Sequence, residues 1–419
     1  MEIKTKKIYN VIFTLICAAI IFIFVFFAVN SREPDMILQN GEITVPQKTE
    51  IPSVSSEQIT TDEGPLFEYT EARITFTGAG DNVVHQCLWM DAAKRALPGG
   101  RAYNFKPMFF DVADMIASAD IAFINQETLM AGTGFELSGY PTFNSPQELG
   151  YDLAELGFDV INIANNHMAD KGERGLVQTI EFWRSLDITL IGAYLDSGEL
   201  DNIGVIERGG IKTAFLAYTY GTNGIALSKN AKAVIPYINE ELIISQIEKA
   251  KEISDAVIVS MHWGNENVSE PTAEQKKIAQ LIADCGAVAI IGHHPHVLQP
   301  IEWIEGKNGG RTLCVYSLGN IASGMDHPKN MVGGFINFDI VMRQNTVTAE
   351  NPVFTPTIYH YGQNWLGGYI YKLEDYTPEL AKSHGTNTLH GIFRTVDELR
   401  FYVTDNISGE FLKGGGGQQ

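Results

Sequence analysis

The stretch Ala287-Val288-Ala289-Ile290-Ile291-Gly292-His293-His294-Pro295-His296 sets a β-rich apolar run directly against three histidines. The run predicts a buried strand over 287–291, and the glycine and proline predict a stiff turn at its end. The same construction recurs along the chain. Ile74–Thr77 leads to Gly80-Asp81, Ile121–Ile124 to Asn125-Gln126-Glu127, and Val160–Ile163 to Asn165-Asn166-His167, with Asp170 and Gly172 close behind. Ala256–Met261 runs into His262-Trp263-Gly264, and Thr312–Tyr316 into Ser317-Leu318-Gly319-Asn320. Further β-rich runs lie at Thr189–Ile191 and Ala214–Ala217.

Helical segments alternate with these runs. Ser145-Pro146-Gln147-Glu148 reads as a capping box with proline at the first helical position, followed by Leu149, Leu153 and Leu156 and a terminating Gly157. Thr272-Ala273-Glu274-Gln275 repeats the capping logic ahead of Ile278, Leu281, Ile282 and Gly286, and Ile243, Ile247 and Ala250 mark another apolar face. Alternating strands and helices predict an α/β fold with helices covering a sheet. After about Gly334 the pattern turns to strands at Phe335–Met342, Thr355–His360 and Tyr369–Lys372, with a helix near Thr395–Tyr402.

The amino terminus is of a different kind. No charge occurs from Ile8 to Ser31, and Val11–Val29 is almost wholly apolar, about 30 Å of helix and enough to cross a bilayer. Lys4, Lys6 and Lys7 precede it, which predicts a cytoplasmic tail and an extracytoplasmic body. The run exceeds the about 7–15 apolar residues of a cleavable signal peptide, and Phe26-Phe27-Ala28-Val29-Asn30 makes a poor cleavage site. The expected organisation is a tail over 1–7, a single-pass signal anchor in the cell membrane over 8–30, a disordered Ser/Thr/Pro-rich stalk over 31–69, one folded domain over 70–412 and a disordered low-complexity tail over 413–419. The balance of 30 basic against 50 acidic residues, a formal charge of -20, speaks against nucleic-acid binding. Four scattered cysteines without CxxC spacing exclude a structural zinc site of the usual kind and read as small hydrophobes.

Ligands of α/β sheets bind where loops leave the carboxyl ends of strands. Here those ends carry Asp, Glu, Asn and five of the ten histidines. Folding alone does not call for imidazoles and carboxylates at one sheet edge. Divalent metal binding does, because imidazole, carboxylate and amide oxygen together suit Zn, Mn or Fe.

The ordered motifs Gly80-Asp81, Asn125-x-Glu127, Ala164-Asn165-Asn166-His167-x-x-Asp170-x-Gly172, His262-Trp263-Gly264-x-Glu266, Gly292-His293-His294-Pro295-His296-Val297-x-Gln299 and Tyr316-Ser317-Leu318-Gly319-Asn320 resemble those of the CapA family, over roughly residues 72–340. These are bacterial capsule synthesis proteins linked to poly-γ-glutamate and related to calcineurin-like metallophosphoesterases. The resemblance implies a four-layer α/β/β/α sandwich and two divalent ions of Mn, Zn or Fe type. It implies Asp81 as ligand to the first ion, Glu127 in the bridging place, Asn166 and His262 on the second ion, and His294 and His296 completing the shell. His167 would stand where the related enzymes place a general acid or substrate-orienting histidine. Asn125, Asn165, Asp170, Trp263, Glu266, His293 and Asn320 would support the shell or the substrate, with the choice between His293 and His294 as ligand left open.

Three departures from the family pattern bear on this. Asp81 is followed only by the later His85 instead of an immediate Asp-x-His, Gln126 stands where Leu is common, and Glu127 is one methylene longer than the usual aspartate. Two functions then compete. One is a metal-dependent hydrolase of a phosphoester or amide bond in poly-γ-glutamate or capsule production. The other is a non-catalytic subunit that binds a cell-envelope polymer or other subunits of the synthesis machinery.

Overall fold

The computed structural model describes residues 55–56, 70–344, 346–387 and 395–412. The expected tail, anchor, most of the stalk and the 413–419 tail lie outside the described residues. Among the described residues no helix is long and apolar enough to cross a membrane. Within the segment expected as stalk, Ser55–Ser56 pairs antiparallel with Glu71 and Thr70.

The chain folds as α/β with two mixed sheets. The first runs in the order Tyr369–Lys372, Thr346–His360, Val332–Arg343, Thr70–Val83, Ile121–Gln126, Val160–Asn162, Thr189–Ile191, with Asn320–Ser323 also against Thr70–Val83. The second runs Leu298–Glu305, Arg311–Leu318, Ala289–His293, Ala256–His262, Ile211–Thr219, Gly204–Arg208. The successive helix-connected strands are parallel, as are Asn320–Ser323 against Thr70–Val83 and Arg311–Leu318 against Ala289–His293, while the remaining late strands and the hairpins are antiparallel. Every run expected as a strand lies in one, displaced or extended by a few residues. The 287–291 run, for example, forms its strand over Ala289–His293.

Alternation along the strands sorts side chains into three apolar layers. Phe76, Phe123, Ile336 and Phe338 of the first sheet meet Phe215, Ile258, Ile291 and Val315 of the second in one core. Outer-facing Ile124 and Ile161 pack on Leu149, Leu153, Leu176 and Ile180 of helices Glu148–Leu156 and Gly172–Arg184. On the far side Leu216, Val259 and Ile290 pack on Ile243, Ile247, Ile278 and Ile282 of helices Glu240–Ile253 and Ala273–Cys285.

The Thr272 box forms as expected, with Thr272 Oγ1 accepting from the Gln275 amide and Gln275 Oε1 from the Thr272 amide. The Ser145 box does not. The helix starts at Glu148, after Gln147, because the Ser145 hydroxyl is taken by Thr128 Oγ1 at 2.7 Å and its amide by the Leu129 carbonyl. Gly157 and Gly286 end their helices in the left-handed region, at φ 99° and 89°.

His384 gives the fold an acid-sensitive point. Its Nε2–H donates to the Tyr359 carbonyl while Nδ1 accepts from the Thr386 amide, so the buried ring is neutral. Burial holds its pKa down at about 4. The unfolded imidazole takes a proton near its ordinary value, so this contribution is complete above about pH 6.5 and is lost as pH falls through about 4. Urea midpoints should fall across that window. A His384→Gln variant should have a shallower pH dependence, by at most about 1.4 kcal/mol per pH unit; an identical slope would refute it.

Candidate metal centre

Strand register brings the candidate residues to one level. Asp81 stands opposite Asn125 in the parallel pair and opposite Asn320 on its other flank, and Asn125 stands opposite Asn162. In the second sheet His262 stands opposite His293. The first sheet thus supplies carboxylates and amides, and the second supplies imidazoles.

Asp81 is wholly buried and clasped on all sides. Its Oδ1 accepts from Asn125 Nδ2 and pairs with His293 Nδ1, both at 2.9 Å. Its Oδ2 accepts from the His294 amide at 3.1 Å and pairs with His296 Nδ1 at 3.1 Å. His296 Nδ1 also lies 3.0 Å from Asn320 Oδ1, and its Nε2 faces Glu127 Oε1 at 3.5 Å. His262 Nε2 lies 2.9 Å from Asn166 Oδ1 and 3.8 Å from Glu127 Oε1. The His294 ring centroid is 4.8 Å from that of His262 and 5.8 Å from that of His296. All six expected ligands therefore meet, and donor atoms of Glu127, His294 and His296 lie within 4.8 Å of one another.

The turn that presents the histidines is held against its own preference. His294 and His296 sit at φ 95° and 57°, a region that non-glycine residues rarely adopt. The Asp81 bond to the His294 amide and the Asn267 amide on the Pro295 carbonyl at 2.8 Å fix it there.

The electrostatics follow from burial among like and unlike neighbours. Burial pushes the Asp81 carboxyl up, but the bonds from His293 and His296 outweigh it and hold Asp81 well below its ordinary value. Glu127 is pushed well above, by burial first and then by the nearby Asp81, Glu266 and Asp170, against the pull of His296. Burial would lower His296, yet Glu127 and Asp81 carry it up to about 9. His262 is held well below its usual value by burial and by His294, and His294 at about 3 by burial and by His296.

The donor set fits divalent cations. Both Glu127 oxygens, His262 Nδ1, His293 Nε2 and His294 Nδ1 are buried without a hydrogen-bond partner. A carboxylate with no donor at all, enclosed by imidazoles, is costly unless a cation satisfies it. Asp81, Glu127, Asn166, His262, His294 and His296 are the residues that would hold it.

The remaining expected residues have distinct places. His167 Nδ1 lies 2.8 Å from Asp170 Oδ2, which also accepts from the Phe143 amide at 2.6 Å. Phe143 sets its ring against His167 edge to face, at 4.6 Å. Asn165 Oδ1 accepts from the His167 amide and its Nδ2 donates to the Gln126 carbonyl, so it shapes the turn. His293 is bound to Asp81 and stacked on Phe123. Glu266 is exposed beyond the strand end. Trp263 faces away from the donors into the outer core, with Nε1 on the Tyr316 carbonyl at 2.9 Å. His85 Nδ1 is held by the Gly324 amide and the Val83 carbonyl, with its ring 5.2 Å from that of Phe143. Gln126 meets polar partners, Asn82 and Thr128.

Four contributors went unread in the sequence. Asn162 Nδ2 donates to Asn125 Oδ1 at 2.9 Å and so steadies the Asp81 clasp. An asparagine inside an apolar run was its signal. Tyr220 ends the Ile211–Thr219 strand, with its ring 4.5 Å from that of His294, and the strand-end rule applied one strand further finds it. Asn223 accepts from Asn166 Nδ2 at 3.2 Å, and Asn330 donates to the His296 carbonyl at 3.0 Å. Neither Asn223 nor Asn330, which lies in the short helical turn Pro328–Met331, has a local signal.

Residues 75–325 match the family described as bacterial capsule synthesis protein PGA_cap. The chain is similar to the PGA biosynthesis protein CapA of Bacillus subtilis (strain 168), 37% identical over 170 residues that cover 40% of this chain and 43% of that protein. It is similar to the capsule biosynthesis protein CapA of Bacillus anthracis, 35% identical over 172 residues covering 40% and 41%. It thus spans less than half the length of either curated relative. Among solved structures, the 5'-nucleotidase precursor from Thermus thermophilus superposes with a TM-score of 0.42 at 15% identity, covering 80% of this chain and 59% of that one.

Proposed function

Since the chain belongs to the bacterial capsule synthesis protein PGA_cap family, we propose that it serves poly-γ-glutamate or capsule biosynthesis or export as a metal-dependent hydrolase of a phosphoester or amide bond. In this reading the fold is a metallophosphoesterase-like α/β/β/α sandwich, two Mn, Zn or Fe ions occupy the donor set, and the Val11–Val29 run anchors an extracytoplasmic domain. Its partners are the polymer and other synthesis subunits. The observation that carries the reading is Glu127, whose buried oxygens have no hydrogen-bond donor beside the imidazoles of His262, His294 and His296.

A bound divalent cation supplies Lewis acidity and a more acidic bound water. The chain's own part is proton handling. Asp170 holds the His167 proton on Nδ1, which leaves Nε2 to give or take a proton at the site. Phe143 keeps the ring from turning. His167 is 6% exposed, so solvent competes little for that nitrogen.

The experiment is turnover of phosphodiester and γ-glutamyl anilide substrates by the metal-loaded protein and its His167→Ala variant. Metal content should stay at that of the unaltered protein, while kcat falls about 10²–10⁴-fold. Equal kcat would remove His167 from the chemistry. Deletion strains supply the other arm: full rescue of surface polymer by His167→Ala would favour the binding-subunit function over hydrolysis.

A further inference from the structure

A cavity of about 410 Å³ opens beside the donor set, with Tyr220 as a shared wall. Its floor is apolar, made by Ile238, Trp263 and Ile278. It lies where His262-Trp263-Gly264 leaves the sheet and the Ala273–Cys285 helix begins. Consecutive strand residues point to opposite faces, so His262 serves the metal side and Trp263 the cavity. Gly264, at φ 84°, lets the chain turn between them; a Cβ there would stand 2.5 Å from Gln275 Oε1.

The polar rim is one-sided in charge. Glu274 lines the opening, no lysine or arginine among the described residues does, and Glu266 and Glu270 stand exposed on the loop that leads to it. Lys277 of the same helix has its ammonium on Glu240, 2.5 Å away, and feels Glu274 only through space. Gln275 is occupied by Thr272 and Gln299, which leaves the Tyr220 and Thr272 hydroxyls, Asn265 and Glu274 as the rim groups able to meet a ligand, and of these only Glu274 is charged. An anionic group entering here meets acids of its own sign, whereas a cation on an apolar stem meets both its preferences.

We infer that the Trp263–Ile278 cavity is a ligand subsite for an apolar group tipped with a primary amine, and that it discriminates against carboxylates. The subsite requires neither bound metal nor turnover. A ligand seated in it lies against Tyr220, the residue that touches His294, so the subsite would select which molecules reach the donor set by their amine-bearing portion.

The test uses the full-length chain after chelation, with three probes of like size: 2-phenylethylamine, 2-phenylethanol and 3-phenylpropanoate. Titration calorimetry should rank the amine tightest, about two- to fivefold over the carboxylate, the scale of one exposed charge contact. Glu274→Gln, an exposed change that leaves the fold intact, should bring that ratio towards one. Ile278→Trp should abolish binding of all three by filling the cavity. Equal affinity for amine and carboxylate, no binding of any probe, or a ratio untouched by Glu274→Gln would each overturn the subsite. Because chelated protein is used, failure here leaves the hydrolase proposal standing, and loss of metal-dependent turnover leaves the subsite standing.

Discussion

Replacing His296 by alanine is expected to take the metal content of the purified chain below half that of the unaltered protein and to lower any metal-dependent turnover by at least about 100-fold. His296 lies between the two buried acids, with one ring nitrogen on Asp81 and Asn320 and the other facing Glu127. Its removal takes away a donor and also the cation that compensates both carboxylates. The metal-free variant should therefore lose stability as well, about 3 kcal/mol, the lower end for breaking a buried pair because Glu127 can take up a proton. Elemental analysis and urea unfolding of the same preparation read both effects. Full metal content in the variant would refute the assignment.

Gly292→Ala is expected to cost about 3–5 kcal/mol and to abolish metal retention without touching a donor. A Cβ at this position would stand 2.0 Å from the Tyr316 carbonyl oxygen and 2.6 Å from that of Val315. Both obstacles are backbone of the neighbouring strand, so no side chain can swing aside. The sheet must open where the chain enters His293-His294-Pro295-His296. Gly309→Ala is the matched control: at φ 76° it has nothing within 4 Å, so it carries only the left-handed strain of about 1–2 kcal/mol. A thermal midpoint for Gly292→Ala no lower than that of the control would contradict the packing argument.

Asp81, Glu127 and Asn166 on the first sheet, and His262, His294 and His296 on the second, lie at the strand ends where the sequence puts them, because parallel strands within a sheet place their carboxyl ends together. The Thr272 box was legible because both of its partners lie within four residues. Ser145 has the same local pattern, but Thr128, 17 residues away, takes its hydroxyl, and no local rule sees that competition. Trp263 was legible in principle, since a residue next to an inward His262 must face outward. The clasp on Asp81 was not. His293 comes to it from 212 positions away, and register between two sheets is set by the whole core rather than by any motif. Asn223, 57 residues from Asn166, lies in a loop whose course depends on that same core.

The strand order also bears on folding. The second sheet is built entirely from chain inserted between the early and late strands of the first, and Asn320 reaches Asp81 only after that insertion closes. Contacts of such sequence separation form late, because loop closure must precede them. The donors on either side of the interface are then scattered in every earlier species, and such species expose unpaired strand edges. Metal uptake during refolding should lag the recovery of helical signal and coincide with the last kinetic phase. For a chain of this topology, a loaded centre would be a certificate of completed folding.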